Sequence, residues 1–259
     1  MRKNILITGA SAGLGRGMAW EFARRNRNLA LCARRVHLLE ELRGELLEAH
    51  PGITVTVHQL DVNDHDGVFT VFGKCAAELD GLDRIVVNAG IGAGRPIGTG
   101  SFATNRRTAE TNFVAALAQC EAALELFRAS DGGHLVVISS MSGLRGFPRN
   151  LTTYAATKAG VLALAEGIRA DTFGTPIRVT TLLPGYIGSE SNAAISGGRL
   201  VTDTSKGCRL LARAIEREPG RASVPRWPWS ILGVGMRLVP LRVVGRFGGT
   251  AQRARDFST

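Results

Sequence analysis

The sequence predicts an α/β fold, a doubly wound parallel sheet of about seven strands with helices on both faces. Short apolar runs rich in β-branched residues alternate along the chain with longer amphipathic stretches, which favours right-handed β–α–β units. Several runs are apolar on both faces, which is typical of parallel strands covered by helices on each side. With 259 residues, 44% of them hydrophobic and 21% charged, the chain can bury the core of one such domain.

The individual elements follow in order from these runs. Strands are predicted where the chain reads NILIT, LALCA, TVTVH, RIVVN, HLVVIS, IRVTTLL and RASVP, at 4–8, 29–33, 54–58, 84–88, 134–139, 177–183 and 221–225. The amphipathic stretches between them predict helices at 14–25, 37–49, 65–79, 104–128, 152–173 and 204–217. No linker divides the sequence before residue 225, so we expect one domain over 1–225 and a basic, apolar C-terminal extension over 226–259.

Composition and charge argue against several function classes. An aromatic fraction of 6% is low for a surface that stacks single-stranded nucleic acid. Residues 219–259 hold seven arginines and one acid, hence +6 of the net charge of +10, so nucleic acid is not an expected partner. The four cysteines lie far apart and predict small buried residues, not metal ligands or disulfides. The N-terminal apolar run is too short for a signal peptide, which predicts a cytoplasmic location.

A glycine-rich loop, TGASAGLG, joins the first strand to the first helix. Gly9, Gly13 and Gly15 allow a tight turn and let backbone N–H groups approach a pyrophosphate at the helix N-terminus. The segment also spells G-x-S-x-G, the nucleophile elbow of α/β-hydrolases. A hydrolase would need His134 or an earlier histidine as its base, and it would give Gly15 no role. The loop therefore predicts a dinucleotide site, with a serine hydrolase as a distant alternative.

The end of the second strand indicates which dinucleotide binds. Ala33 stands where an acid would take the adenosine ribose hydroxyls and repel a 2′-phosphate, and Arg34 and Arg35 follow it. A guanidinium suits a phosphate because it forms paired, charge-assisted hydrogen bonds. The pattern favours NADP(H) over NAD(H), with Arg34 as the stronger candidate of the two arginines.

The stretch LTTYAATKAG carries a candidate acid–base pair. Tyr154 and Lys158 are four positions apart, so they are neighbours on a helix face. A phenol with an ordinary pKa of about 10 is a poor catalyst at neutral pH, and a protonated lysine beside it is expected to lower that pKa. On its own the pair fits a solvated helix face better than a catalytic site, so the other motifs decide its role.

Taken in order, the motifs over residues 2–225 resemble the short-chain dehydrogenase/reductase family, in its short single-domain branch. They are TGASAGLG, Asp61-Val62, Asn88-Ala89-Gly90, Asn112, Ser139-Ser140, YAATK at 154–158, and Pro184-Gly185. The resemblance implies a Rossmann-type sheet in the strand order 3-2-1-4-5-6-7. It also implies hydride transfer between a nicotinamide and a carbonyl or alcohol.

Four residues are implied to be catalytic. Tyr154 exchanges a proton with the substrate oxygen, and Ser140 hydrogen-bonds that oxygen. Lys158 holds the nicotinamide ribose hydroxyls, and Asn112 supports a water that links the lysine to solvent. The serine lies one residue further from the tyrosine than is usual, with the addition expected around 144–151. Ser139 and Ser142 are alternatives, and Ser140 is preferred because Gly143 then takes its expected place.

The remaining implied residues surround the cofactor. Asp61 accepts from the adenine amino group beside Val62, and the backbone of Ile187 meets the nicotinamide carboxamide. Two departures are mild: Val87 replaces the first of two asparagines, and Ser189 replaces a threonine. The expected cofactor-binding residues are Gly9, Ser11, Ala12, Gly13, Leu14, Gly15, Ala33, Arg34, Arg35, Asp61, Val62, Asn88, Ala89, Gly90, Tyr154, Lys158, Pro184, Gly185, Ile187 and Ser189.

The C-terminal extension is apolar and basic over 225–247, with two tryptophans and four arginines. Its longest uncharged stretch, 227–236, is too short to span a bilayer. It is expected to cover the substrate pocket, to contact a second subunit or to lie on a membrane surface. All three fit an apolar, lipid- or steroid-like substrate.

We therefore expect an NADP(H)-dependent carbonyl/alcohol oxidoreductase that forms a homodimer or homotetramer through the helices at 104–128 and 152–173. A catalytically idle dinucleotide-binding sensor or scaffold is the alternative.

Overall fold

A parallel sheet of seven strands organises the part of the chain that the computed structural model describes, residues 2–92, 94–188 and 201–247. Its strand order is β3-β2-β1-β4-β5-β6-β7, as predicted. The strands are β1 Asn4–Thr8, β2 Asn28–Ala33, β3 Val55–Gln59, β4 Arg84–Val87, β5 Gly133–Ile138, β6 Ile177–Pro184 and β7 Arg221–Val224. Each lies within one residue of its predicted bounds, because a run of buried β-branched residues marks a central parallel strand clearly.

Helices cover both faces of the sheet. They are α1 Gly13–Ala23, α2 Val36–Ala49, α3 His65–Glu78, α4 Phe102–Ala109, α5 Ala115–Ala129, α6 Thr152–Asp171, α7 Thr204–Glu216, α8 Trp229–Leu238 and α9 Leu241–Phe247. One buried apolar layer contains side chains of α3, α5 and α6, and the other contains those of α1, α2 and α7. Helices α8 and α9 belong to the C-terminal extension, for which the sequence predicted no elements.

The predicted helix at 104–128 is wrong as a single element. The chain forms α4, then a π-turn at Glu110–Val114, then α5. A π-turn holds one residue more than an α-turn and is common at functional sites. Its side chain Asn112, only 1% exposed, faces the loop that follows β4. The extra residue therefore rotates the side chains of α5, which pack in the core, relative to Asn112, which contacts this loop.

A buried charged cluster lies at the amino end of the sheet. Arg84 on β4 is 1% exposed and pairs with Glu216 and Glu218, each at 3.2 Å. Its Nε donates to Nδ1 of His134 over 2.8 Å. Nε2 of His134 is then the protonated nitrogen and donates to Oγ1 of Thr180, also over 2.8 Å. The cluster ties β4, β5 and β6 to the end of α7.

Candidate active site

A cavity of about 1080 Å³ opens at the carboxyl end of the sheet, where the strand-end loops meet. This is where doubly wound sheets bind their ligands. Nineteen of the predicted residues line it: Gly9, Ser11, Ala12, Gly13, Leu14, Ala33, Arg34, Arg35, Asp61, Val62, Asn88, Ala89, Gly90, Ser140, Tyr154, Lys158, Pro184, Gly185 and Ile187. Gly15 and Asn112 lie behind this lining, and Ser189 falls outside the described residues.

The glycine loop has the backbone geometry that a dinucleotide site needs. Gly9 and Gly13 have φ angles of +65° and +54°, in the left-handed region that favours glycine. Helix α1 begins at Gly13, so its free N–H groups point towards the cavity. A Cβ on Gly15 would overlap the carbonyl oxygen of Gly9 and would lie 2.8 Å from Nδ2 of Asn88. The third glycine is thus required for the loop to pack on its own helix.

Replacing Gly15 with alanine should weaken binding of a nicotinamide dinucleotide at least about tenfold, because the new methyl group pushes the Gly9 carbonyl out of place. Cofactor titration by fluorescence measures the effect. Gly44→Ala is the matched control, since Gly44 lies on α2 with nothing within 4 Å of the added carbon. That control should leave binding unchanged and raise the unfolding free energy by up to about 1 kcal/mol. Equal binding in the two variants would contradict the packing argument.

Strand β4 braces this loop through Asn88. Its backbone N–H and that of Ala89 donate to Oγ1 of Thr8, over 3.0 and 3.1 Å. The Asn88 side chain donates to the carbonyl of Thr8 over 2.8 Å. The neighbouring Gly90 brings the backbone close to the catalytic candidates, because a Cβ there would lie 3.1 Å from Oδ1 of Asn112 and 3.6 Å from Nζ of Lys158.

The rim that follows β2 and β3 is polar. Arg34 and Arg35 are exposed at the cavity edge, and Nη2 of Arg35 donates to Oγ of Ser11 over 3.3 Å. Across the cavity, Oδ1 of Asp61 accepts from the backbone and side-chain N–H groups of Asn63, both over 3.1 Å. The rim therefore offers two guanidinium groups on the β2 side and a held carboxylate on the β3 side.

The three serines after β5 have different environments. Ser140 hydrogen-bonds to Tyr154 and lines the cavity. The hydroxyl of Ser139 is turned away and donates to the carbonyl of Lys158 over 2.8 Å. Ser142 donates its backbone N–H to Oγ of Ser140 over 3.1 Å. A Cβ on Gly143 would lie 2.7 Å from the carbonyl of Lys158, so this glycine lets the serine loop approach α6.

Burial raises the pKa of the Tyr154 phenol above its ordinary value. The hydrogen bond with Ser140 opposes this shift, and the nearby Tyr186 adds to it. Desolvation disfavours the charged phenolate more than the serine hydroxyl stabilises it. Tyr154 is therefore a neutral hydrogen-bond donor at physiological pH.

The prediction that Lys158 lowers the pKa of Tyr154 is wrong in this structure. Lys158 is 6% exposed, and its Nζ donates to the carbonyl of Ile138 over 2.9 Å. The same Nζ lies 6.0 Å from the centroid of the Tyr154 ring. Burial lowers the pKa of the Lys158 ammonium itself to about 8. The ammonium donates to the strand-end carbonyl, and burial remains the largest influence on the pKa of the tyrosine.

The π-turn residue Asn112 connects α6 with the loop after β4. Its Oδ1 accepts from the N–H of Ile91 and its Nδ2 donates to the carbonyl of the same residue, both over 2.8 Å. Nδ2 also contacts Oγ1 of Thr157 at 3.4 Å, and that hydroxyl donates to the carbonyl of Tyr154 over 2.7 Å. Thr157, to which the sequence assigned no role, thus completes a polar link behind the site.

Helix α8 closes one side of the cavity. Trp229, which is 4% exposed, packs at the end of β6, where a Cβ on Gly185 would overlap its indole ring. Tyr186 meets this indole edge-on, with 5.5 Å between the ring centroids. Further along the extension, four more apolar side chains line the cavity: Leu232, Met236, Val239 and Val244.

Sequence reasoning also missed Arg145. It lines the cavity, and its Nη1 donates to the carbonyls of Met236 and Val239 at the end of α8. A cation at a helix C-terminus interacts favourably with the helix dipole. Arg145 therefore fastens the serine loop to the C-terminal extension. No signal in the sequence marks this contact, because its acceptors are backbone carbonyls 91 and 94 residues away.

The hydrolase alternative does not fit this geometry. Ser11 lies at the carboxyl end of the sheet, whereas His134 lies at the opposite end, inside the charged cluster. Among the described residues that line the cavity there is no histidine. Within the described ranges, no histidine is therefore placed beside Ser11.

The chain is similar to known oxidoreductases over most of its length. A profile of the short chain dehydrogenase family matches residues 3–199. An uncharacterized oxidoreductase of Mycobacterium tuberculosis is 51% identical over 246 residues, which cover 95% of this chain and 97% of the relative.

Two solved structures are similar in fold. A short-chain type dehydrogenase/reductase from Mycobacterium marinum is 26% identical, with a TM-score of 0.77 over 86% of this chain and 92% of the other. An alcohol dehydrogenase from Thermococcus sibiricus, complexed with 5-hydroxy-NADP, is 25% identical, with a TM-score of 0.76 over 85% and 95%. Together with the strand order and the cavity, these matches show that the protein belongs to the short-chain dehydrogenase/reductase family and is an oxidoreductase that uses a nicotinamide cofactor.

Proposed function

We propose that the protein interconverts a carbonyl and an alcohol on an apolar substrate, with NADP(H) as its cofactor. The observation that carries the proposal is the convergence of Tyr154, Ser140 and Lys158 on one cavity, beside the glycine loop and below an apolar wall from α8. Such an arrangement provides two hydroxyl groups for a reacting oxygen and a cradle for a pyrophosphate.

The chain's own residues suit the cofactor. The loop at Gly9 and Gly13 would hold the pyrophosphate at the start of α1, and Asp61 would accept from the adenine. Lys158 would hold the ribose next to the nicotinamide. When bound, the nicotinamide supplies or accepts the hydride, and the protein supplies position and polarity.

The two hydroxyls do the work of the protein at the substrate oxygen. During reduction this oxygen gains negative charge, which hydrogen bonds from Ser140 and Tyr154 stabilise. The raised pKa of Tyr154 keeps its proton available for transfer to that oxygen. Lys158, with a pKa of about 8, exchanges protons near neutral pH and can restore charge balance at the site. We propose reduction as the working direction, because cells usually keep the NADPH pool reduced.

The cofactor preference is proposed from the rim after β2. Ala33 leaves no carboxylate there, and Arg34 and Arg35 supply positive charge for a 2′-phosphate. We expect NADPH to bind more tightly than NADH, and Arg34→Asp to reduce this preference at least about tenfold, since it removes one charge and adds its opposite. Arg35→Asp is the matched comparison. Titrating both cofactors against both variants decides between them, and an unchanged preference in Arg34→Asp would remove Arg34 from the site.

The apolar substrate class is inferred from the cavity wall. Trp229, Leu232 and Met236 come from α8, and Leu151 and Phe147 come from the segment before α6. A screen of lipophilic aldehydes, ketones and alcohols that follows NADPH absorbance tests the proposal. Turnover of small polar carbonyls alone would contradict it.

We also propose that subunits associate through α5 and α6. Val114 and Leu117 are 40% and 37% exposed at the start of this helical face, so a second copy would bury them.

A further inference from the structure

Helix α8 is apolar on two opposite faces. Trp229, Gly233 and Met236 face inwards and pack against the serine loop and the cavity. Ile231, Val234 and Leu238 follow the same helical spacing on the other side. They are 64%, 62% and 78% exposed. A solvated helix normally carries polar residues on its outer face, so this second apolar stripe is unusual.

The exposed apolar surface continues beyond the helix in both directions. Trp227, just before α8, is 73% exposed, and Leu241, at the start of α9, is 72% exposed. We call these two residues and the stripe of Ile231, Val234 and Leu238 the outer apolar surface. Such clustered exposed side chains mark an interaction site more often than chance.

The charged residues of the segment 225–247 are all arginines. Arg226, Arg237 and Arg242 are exposed, and none of the ion pairs among the described residues involves them. Residues 219–255 of the sequence contain no acid. The segment therefore presents apolar side chains and unneutralised guanidinium groups together.

Arg169 on α6 and Arg221 on β7 add positive charge near Arg237, in the last turn of α8. The pKa of Arg221 is lowered first by burial and then by the charge of Arg237, with a further contribution from Arg169 and opposition from Glu166. Three guanidinium groups thus act near one carboxylate, so a net positive region adjoins the helix.

A bilayer with anionic headgroups matches this surface better than a second copy of the chain does. In a two-fold symmetric dimer the same patch meets itself, so the arginines of one subunit would face those of the other. Anionic lipids offer the opposite charge to the arginines, and the acyl region accepts the apolar side chains. An exposed tryptophan beside such a surface is typical of the membrane interface. No helix among the described residues could cross a bilayer, so the contact would be peripheral.

We propose that the outer apolar surface and its arginines dock the protein on an anionic lipid bilayer, while the inner face of the same helix lines the substrate cavity. The second half of the statement rests on the proposed function, and it names the substrate class as a membrane-resident apolar carbonyl or alcohol. One ten-residue helix then separates the bilayer from the cavity, which gives such a substrate a short route between them.

Sedimentation with lipid vesicles tests the docking. The full chain is mixed with vesicles of phosphatidylcholine alone or with phosphatidylglycerol, at low and high salt. We expect binding to the anionic vesicles only, weaker at high salt. Arg237→Gln with Arg242→Gln should weaken it about thirtyfold. Ile231→Ser with Val234→Ser and Leu238→Ser should reduce it to the level of phosphatidylcholine. Wild type that binds neither vesicle, or both equally, overturns the proposal.

Matched controls separate a local effect from a general one. Arg128→Gln with Arg178→Gln removes two other exposed arginines, and Phe173→Ser removes the 90% exposed phenylalanine after α6. Both should bind like wild type, and equal losses in the controls contradict the assignment. Light scattering measures subunit number in parallel. If the wild type is a dimer that does not bind vesicles, and the serine variant is a monomer, the surface would be assigned to a second copy instead.

Turnover keeps this proposal distinct from the enzymatic one. None of the substituted residues lines the cavity, so NADPH oxidation with a short, water-soluble aldehyde should be unchanged in every variant. Turnover of a long-chain aldehyde carried in anionic vesicles should fall in the surface variants alone. Absent turnover with intact vesicle binding would reject the enzymatic proposal, while lost docking with intact turnover would reject only the present one.

Discussion

Replacing Tyr154 with phenylalanine is expected to lower kcat by a factor of about 10² to 10⁴, the range for loss of a positioned general acid. The phenol is half-buried and hydrogen-bonds to Ser140, whose hydroxyl stabilises its charged form. The substitution removes the oxygen that we propose transfers the proton, and it leaves the ring in place. Cofactor affinity should change little, because the glycine loop and the arginine rim are untouched. Steady-state NADPH oxidation and cofactor titration measure the two effects separately.

The control for this variant is the other tyrosine of the chain. Tyr186→Phe keeps the edge-on contact with Trp229 and removes a hydroxyl from the same region of the cavity. It should retain most of the activity. Wild-type turnover in Tyr154→Phe, or equal losses in the two variants, would show that the proposed proton transfer is wrong.

Replacing Arg84 with methionine is expected to lower the free energy of unfolding by about 3 kcal/mol, the lower end of the range for breaking a buried ion pair. Methionine keeps much of the volume but leaves Nδ1 of His134 without its donor and removes one of the two arginines that pair with each carboxylate; Glu216 keeps Arg27 and Glu218 keeps Arg2. The lower end applies because these carboxylates are about a quarter exposed. Urea unfolding at neutral pH gives the measurement.

Arg43→Met is the comparison, because Arg43 pairs with Glu40 on a solvated face and its loss should cost less than about 1 kcal/mol. Acid sensitivity supplies a second readout. Burial and then the charges of Arg84 and Arg2 lower the pKa of His134 to about 2, so the folded protein keeps it neutral. The contribution of neutral His134 to the free energy of unfolding is complete above the unfolded pKa of about 6.5 and is lost as pH falls towards 2. Without Arg84 the loss should be shallower; an unchanged profile would contradict the cluster.

Much of the fold was predictable because its signals are local. A strand such as NILIT is buried on both faces, so its apolar run needs no partner to be recognised. The π-turn at Glu110–Val114 carries no such signal, since its extra residue allows Asn112 to hydrogen-bond to Ile91 behind the cavity lining. The strand order followed from resemblance, because local patterns do not say which strands are neighbours.

The site divides in the same way. Motif residues such as Gly9 and Tyr154 were found because their types and spacing are tied to backbone geometry and chemistry. Arg145 was missed, since its partners are carbonyls that any residue could supply. The predicted effect of Lys158 on the pKa of Tyr154 was wrong because sequence proximity does not reveal desolvation, which is the larger influence on that pKa.

The π-turn has a consequence for any shortened version of this protein. Asn112 hydrogen-bonds to Ile91 in the cavity wall, while Ala116, Cys120 and Ala123 further along pack in the core. Removing one residue from 110–114 would restore a plain α-helix and rotate one part against the other by about 100°. Either the asparagine would leave Ile91 or the alanines would leave the sheet. The extra residue thus sets the rotation between the Asn112 contact and the core face of α5, and both contacts depend on keeping it.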